Sequence, residues 1–183
     1  MGSLKFIVSV FLIFLVWLSI GLVKFDYLFN CFGPDLEPIG VSDAKIRAAR
    51  KLFTRTPLIG EPIYFVKKTH CYNGWAGSSD ASSVVVISQA VMDEFSIEEL
   101  AGLIGHEIAH LENPLSNREH WEVDLRGAEL TTKELMIKKL EKMAAVYTDI
   151  YDKNMIFGLP ALRARLIVRD FRERLEKIKT FAK

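Results

Sequence analysis

The sequence predicts an α+β fold: a helix-rich domain with a small β-sheet, set behind an N-terminal transmembrane helix. Three observations carry that expectation. Residues 6–23 form an apolar run softened only by Ser9, Ser19 and Gly21. Such a run rises about 27 Å as a helix, close to the hydrocarbon thickness of a bilayer. Two Ser/Thr-x-x-Glu boxes, Ser96 to Glu99 and Thr131 to Glu134, open stretches of helical apolar periodicity. Against these stand two short β-branched runs, near 63–66 and 83–88.

Taken in order, residues 1–25 read as a membrane anchor. A cleaved signal peptide would share the positive start, here Lys5, but has a shorter apolar core ending at an A-x-A-like site. The nearest approximation, Ser19-Ile20-Gly21, lies inside the run, so the uncleaved anchor is favoured over the signal peptide. Lys5 precedes the span and Lys24 follows it. The positive-inside rule therefore leans only weakly, towards a domain on the outer side. Residues 26–41, with Gly33, Pro34, Pro38 and Gly40, read as a linker, and 42–183 as the domain.

Within the domain a helix is expected from Ser42 to Phe53, with Ala44, Ile46, Ala48, Ala49, Leu52 and Phe53 on its apolar side. Thr56-Pro57 and Gly60-Glu61-Pro62 break the chain. Ile63 to Val66 reads as a strand, Cys71 to Ser83 as a Gly- and Ser-rich loop, and Ser83 to Ser88 as a buried or edge strand. Ser96 and Glu99 cap a helix through Leu111, stopped by Asn113-Pro114. Helices follow over 117–130, from the Thr131 cap to Tyr151, and from Pro160 to Phe181.

A net charge of +1 gives no reason to expect nucleic acid as a partner. It conceals a basic tail, since residues 153–183 hold nine Lys/Arg against three Asp/Glu. That amphipathic tail helix could lie on an anionic membrane or pack on the domain, and packing is the favoured reading. The two cysteines, Cys31 and Cys71, are too few for a disulfide framework but could pair in an oxidising compartment.

The chemistry is concentrated in His106-Glu107-Ile108-Ala109-His110. Two histidines four apart share one helix face, so both imidazoles can reach one Zn²⁺, with Glu107 beside its open position as general base. Burying two histidines and a glutamate unpaired inside a core would be costly, which argues against simple packing. A catalytic zinc takes three protein ligands, and Glu112, Glu119, His120, Glu122, Asp124 and Glu129 are the downstream candidates. Among other residues, His70 reads as an ordinary surface histidine. Trp75 and Trp121 could line a cleft, although packing is the default for such rings.

Residues 83–89, 106–110 and 116–127 (Ser-Asn-Arg-Glu-His-Trp-Glu-Val-Asp-Leu-Arg-Gly) together resemble the integral-membrane gluzincins that include HtpX and the CAAX prenyl protease. Asn73 is similar to an asparagine of that family, Leu159-Pro160 and Arg165 to its C-terminal H-P-x-x-x-x-R segment, and Val84 to Ile87 to its substrate-pairing edge strand. The resemblance implies a zincin-like fold and one zinc per chain. Its third ligand, a Glu four residues before the Asp, falls here on His120, while Glu122 matches a second Glu that usually does not ligate. Helical spacing agrees, because His120 and Asp124 share a face and Glu122 points roughly 200° away. His120 is favoured over Glu122, which can instead pair with Arg126, leaving Asp124 to accept from a ligating imidazole.

The expectation is a membrane-anchored, single-pass zinc metalloendopeptidase acting on peptide or protein substrates, with membrane lipid met through its N-terminal helix. The rival is a membrane-tethered scaffold that keeps the fold without turnover: Glu107 speaks for the enzyme and the departure at position 120 for the scaffold. A zinc hydrolase of non-peptide substrates shares the same chemistry.

Overall fold

The computed structural model describes residues 36–39, 43–69, 71–79, 82–112, 119–153 and 158–181. The expected anchor over 1–25, most of the expected linker, Cys31, His70 and the Asn113 to Arg118 stretch lie outside the described residues. Among the described residues no helix is long and apolar enough to cross a membrane.

The described chain runs β1 (Leu36–Ile39), α1 (Ala44–Arg50), β2 (Ile63–Lys67), β3 (Gly74–Ser79), β4 (Ser82–Ser88), α2 (Gln89–Glu94), α3 (Ile97–Glu112), α4 (His120–Leu130), α5 (Lys133–Lys153) and α6 (Gly158–Phe181). The helix-rich α+β class holds. The strands form a mixed sheet in the order β1-β2-β4-β3, with β2 parallel to β4 and the outer pairs antiparallel.

Three expectations about the sheet need correction. Val84 to Ile87 is not an edge: β4 is paired on both sides, and Val85 and Ile87 are fully buried, the place where β-branched side chains pack best. The edge is β3, inside the stretch expected as a loop. Gly-Trp-Ala-Gly-Ser-Ser carries little β-propensity, and its register against β4, from Gly74 opposite Ile87 to Ser79 opposite Ser82, keeps it extended. Similarly, β1 lies within the expected linker, where Pro38 is tolerated because the strand is at the other edge.

Helix α3 is the spine of the domain. Ser96 and Glu99 cap it reciprocally: the Ser96 N–H donates to Glu99 Oε2 at 2.7 Å and the Glu99 N–H to Ser96 Oγ at 3.2 Å. From Leu100 to Ala109 every residue is buried, because α1, β3, α4 and α5 enclose the helix from several sides. Helix α4 crosses it at two glycines. A Cβ on Gly127 would lie 2.5 Å from Met136 Cε, 3.0 Å from the His106 backbone nitrogen and 3.1 Å from the Gly105 carbonyl carbon, so the two helix backbones pass close to one another.

The cap of α5 is one residue later than expected. Thr132 Oγ1 accepts from the Leu135 N–H at 3.3 Å, whereas Thr131 Oγ1 donates back to the Gly127 carbonyl at 2.8 Å and is buried. Adjacent threonines made the register ambiguous in sequence. Helix α6 packs on α5 and α4 with Ala164, Phe171 and Ile178 buried, as the packed reading of the basic tail requires. Cys71 is fully buried and disulfide-bonded.

Candidate metal centre

The close crossing of α3 and α4 brings three histidines together. His106 and His110 come from α3 and His120 from the first position of α4; one ring nitrogen from each lies within 4.8 Å of the others. The rings of His106 and His110 are 4.8 Å apart edge to face, and His120 stands 5.8 Å and 5.4 Å from them. Small side-chain rotations take such a cluster to the bonds of about 2.0–2.1 Å that zinc makes with imidazole. Glu107 is buried on the same helix, against Gly74 of β3, whose missing Cβ leaves room for the carboxylate.

Asp124 fixes the state of His106. Its Oδ1 lies 2.7 Å from His106 Nδ1, Lys139 Nζ of α5 donates to Oδ1 at 3.1 Å, and Arg174 of α6 donates to Oδ2 at 2.6 Å and to Oδ1 at 3.0 Å. Burial pushes the Asp124 carboxyl up, but Lys139, His106 and Arg174 outweigh it and hold it well below the ordinary range. An ionised carboxylate only accepts, so His106 carries its proton on Nδ1 and keeps Nε2 as a free lone pair. Burial, then Lys139, holds the His106 imidazole neutral. Burial also lowers His110, helped by His120, and lowers His120, helped by Arg174. Three neutral imidazoles on one spot form a donor set fit for a divalent metal. Burial raises Glu107 to about 7 and lowers Lys139 to about 8.

The other candidates from the sequence are turned elsewhere. Glu112 accepts from the Leu58 N–H at 2.8 Å and from Arg126 Nε at 2.6 Å. Glu119 accepts from Trp121 Nε1, and Glu129 from Arg126 Nη1, both at 2.6 Å. Glu122 is not part of the histidine cluster, and the expected Glu122–Arg126 pair is replaced by Arg126 bridging Glu112 and Glu129. Trp75 faces the cleft, while Trp121 packs on Phe181. Arg165 lies against Tyr151 at the surface, and it is Arg174 that reaches Asp124.

A cleft of about 730 Å³ runs over the cluster. Asn73 and residues 74–78 of β3 line one side, α3 lines the base, and Lys139, Met143, Leu166, Ile167, Asp170, Phe171 and Arg174 line it from α5 and α6. Sequence reasoning missed Lys139 and Arg174. The signal was available: each charge falls on an apolar helical stripe, Lys139 among Leu135, Met136, Leu140 and Met143, and Arg174 among Phe171, Leu175 and Ile178.

The family model described as peptidase family M48 matches residues 46–158, which is more than half of the chain. The chain belongs to peptidase family M48. No curated protein and no solved structure matches it. Membership makes this M48 protein a peptidase, a hydrolase of peptide bonds, by family. The matched stretch contains all three histidines and Glu107, but it ends as α6 begins, so Arg174 and the α6 wall of the cleft lie beyond it.

Proposed function

We propose that this M48 protein is a zinc metalloendopeptidase, with His106, His110 and His120 holding one zinc ion and Glu107 acting as general base. The observation that carries the reading is the convergence of three neutral imidazoles and one buried carboxylate at the base of a cleft bordered by a strand edge. A bound zinc would supply Lewis acidity at a carbonyl oxygen and acidify a water. Glu107, with a carboxyl raised by burial to about 7, takes a proton from the attacking water near neutral pH and returns it to the leaving amine. Asp124 keeps His106 in one tautomer and orientation. The outer edge of β3 can bind an extended peptide through its backbone, which suits cleavage within a chain rather than at its end.

The test uses the full chain in detergent, loaded with zinc and separated from free metal. About one zinc per chain and digestion of casein are expected, and Glu107→Gln should keep the metal and lose turnover. Absence of zinc after loading, or undiminished cleavage by the Gln variant, would overturn the assignment.

We also propose that residues 1–25 anchor the protein as a single pass with the peptidase domain on the outer side. The disulfide at Cys71 supports an oxidising compartment. Protease added outside intact cells should digest the domain; full protection would reverse the orientation. The scaffold alternative drew on the departure at position 120, and with His120 in the cluster no observation favours it.

A further inference from the structure

We propose that the cleft selects substrates carrying a bulky apolar side chain, such as Leu, Phe or Met, next to the scissile bond, with Leu166 and Ile167 of α6 as the residues that determine this preference. The inference rests on the metallopeptidase reading and adds the substrate class to it.

Leu166 lines the cleft yet is 52 % exposed, and Leu162, one turn earlier, is 55 % exposed. Two leucines in water on one face of a helix whose Ala164, Val168, Phe171, Leu175 and Ile178 pack inward form a surface that gains by being covered. Ile167, Phe171 and Met143 line the same cleft as the three histidines. The polar groups nearby are already committed to one another. Arg174 and Lys139 both bond Asp124, and Asp170 Oδ2 accepts from Arg174 Nη1 at 3.2 Å. Apart from the half-exposed Asp170 carboxylate, what remains free on the α5–α6 side is carbon.

On the β3 side Trp75 is the one bulky side chain lining the cleft. Ala76, Gly77 and Ser78 are small, and a Cβ built on Gly77 would meet no atom within 4 Å. A peptide extended along β3 projects alternate side chains to opposite faces. One of those sets crosses the open space towards Leu166 and Ile167, and a large apolar side chain there buries both itself and the exposed leucine.

The experiment takes the zinc-loaded full chain and two synthetic peptides that differ only in Leu or Asp at the position beside the cut. That position is first located by sequencing the products of a denatured protein digest. The Leu peptide should be cleaved with kcat/KM on the order of 10- to 100-fold above the Asp peptide. Leu166→Lys and Ile167→Lys should shrink that ratio several-fold, chiefly by slowing cleavage of the Leu peptide, while zinc content persists. Fluorescence anisotropy of the same peptides on the Glu107→Gln variant gives a readout free of turnover and should rank them identically. Cleavage without positional preference, or a ratio unchanged in both Lys variants, overturns the subsite and leaves the peptidase reading intact. Preferential binding of the Leu peptide with no cleavage by the wild-type chain supports the subsite and overturns the peptidase reading.

Discussion

Asp124→Asn is the sharpest test of how the centre is held together. The change keeps the size of the side chain and removes its charge. In the native chain this carboxylate has no solvent exposure and faces three partners, His106, Lys139 and Arg174. Without it, Lys139 at 1 % and Arg174 at 6 % exposure remain as two buried cations, with the Glu107 carboxylate as the nearby anion. Removing one partner from a buried ion pair costs about 3–5 kcal/mol. A chain of this size moves about 2–4 °C in Tm for each kcal/mol, so the metal-free protein should melt about 6–20 °C lower. Thermal unfolding followed by circular dichroism, in detergent with chelator at pH 7, measures it. Adding Lys139→Met removes the surplus cation and should restore much of the loss, a non-additivity that two independent sites would not show. A Tm lowered by less than about 2 °C, or losses that simply add, would refute the view of Asp124 as the shared anion of two buried cations.

Other outcomes follow from the same geometry. His120→Ala should weaken zinc binding by more than the 10–100-fold typical of residues supporting a ligand, while Glu122→Ala leaves it nearly unchanged; competition with a chelator ranks them, and the reverse order would put the third ligand at Glu122. Lys139 has a folded pKa lowered to about 8 from 10.5, so the unfolded chain binds more protons between those values and stability should rise with pH across that window. Denaturant midpoints of the metal-free protein at pH 8 and 10 would show the rise, and Lys139→Met should flatten it. Gly127→Ala gains at most about 1 kcal/mol of helix propensity but must displace the Met136 methyl and press on the α3 backbone, so a net loss of roughly 1–2 kcal/mol is expected in urea titrations; an unchanged midpoint would mean that the crossing relaxes freely.

Legibility in the sequence tracked the range of the interactions involved. The Ser96–Glu99 box and the apolar faces of α3 and α5 are local features, and they placed those helices to within two residues. The pairing of His106 with His110 is likewise written in helical spacing. His120 could be favoured from spacing but not joined to the pair, because the joining depends on α4 crossing α3 where Gly105 meets Gly127. β3 was invisible because its side chains do not specify a strand; its partner β4 does. Neither Lys139 nor Arg174 stood out by residue type, although each lay on an apolar stripe. Fifty residues separate Arg174 from Asp124, and no local rule spans that distance.

The Arg174–Asp124 pair also sets a timetable. During synthesis the histidine segment and both glycines of the crossing leave the ribosome well before the last helix is made. Until α6 docks, Asp124 lacks its bidentate guanidinium, and the cleft lacks the wall formed by Leu166, Ile167 and Phe171. A nascent chain that has already made its sheet and central helix therefore still has a half-built cleft. The order of the elements along the chain thus makes completion of the cleft a late step.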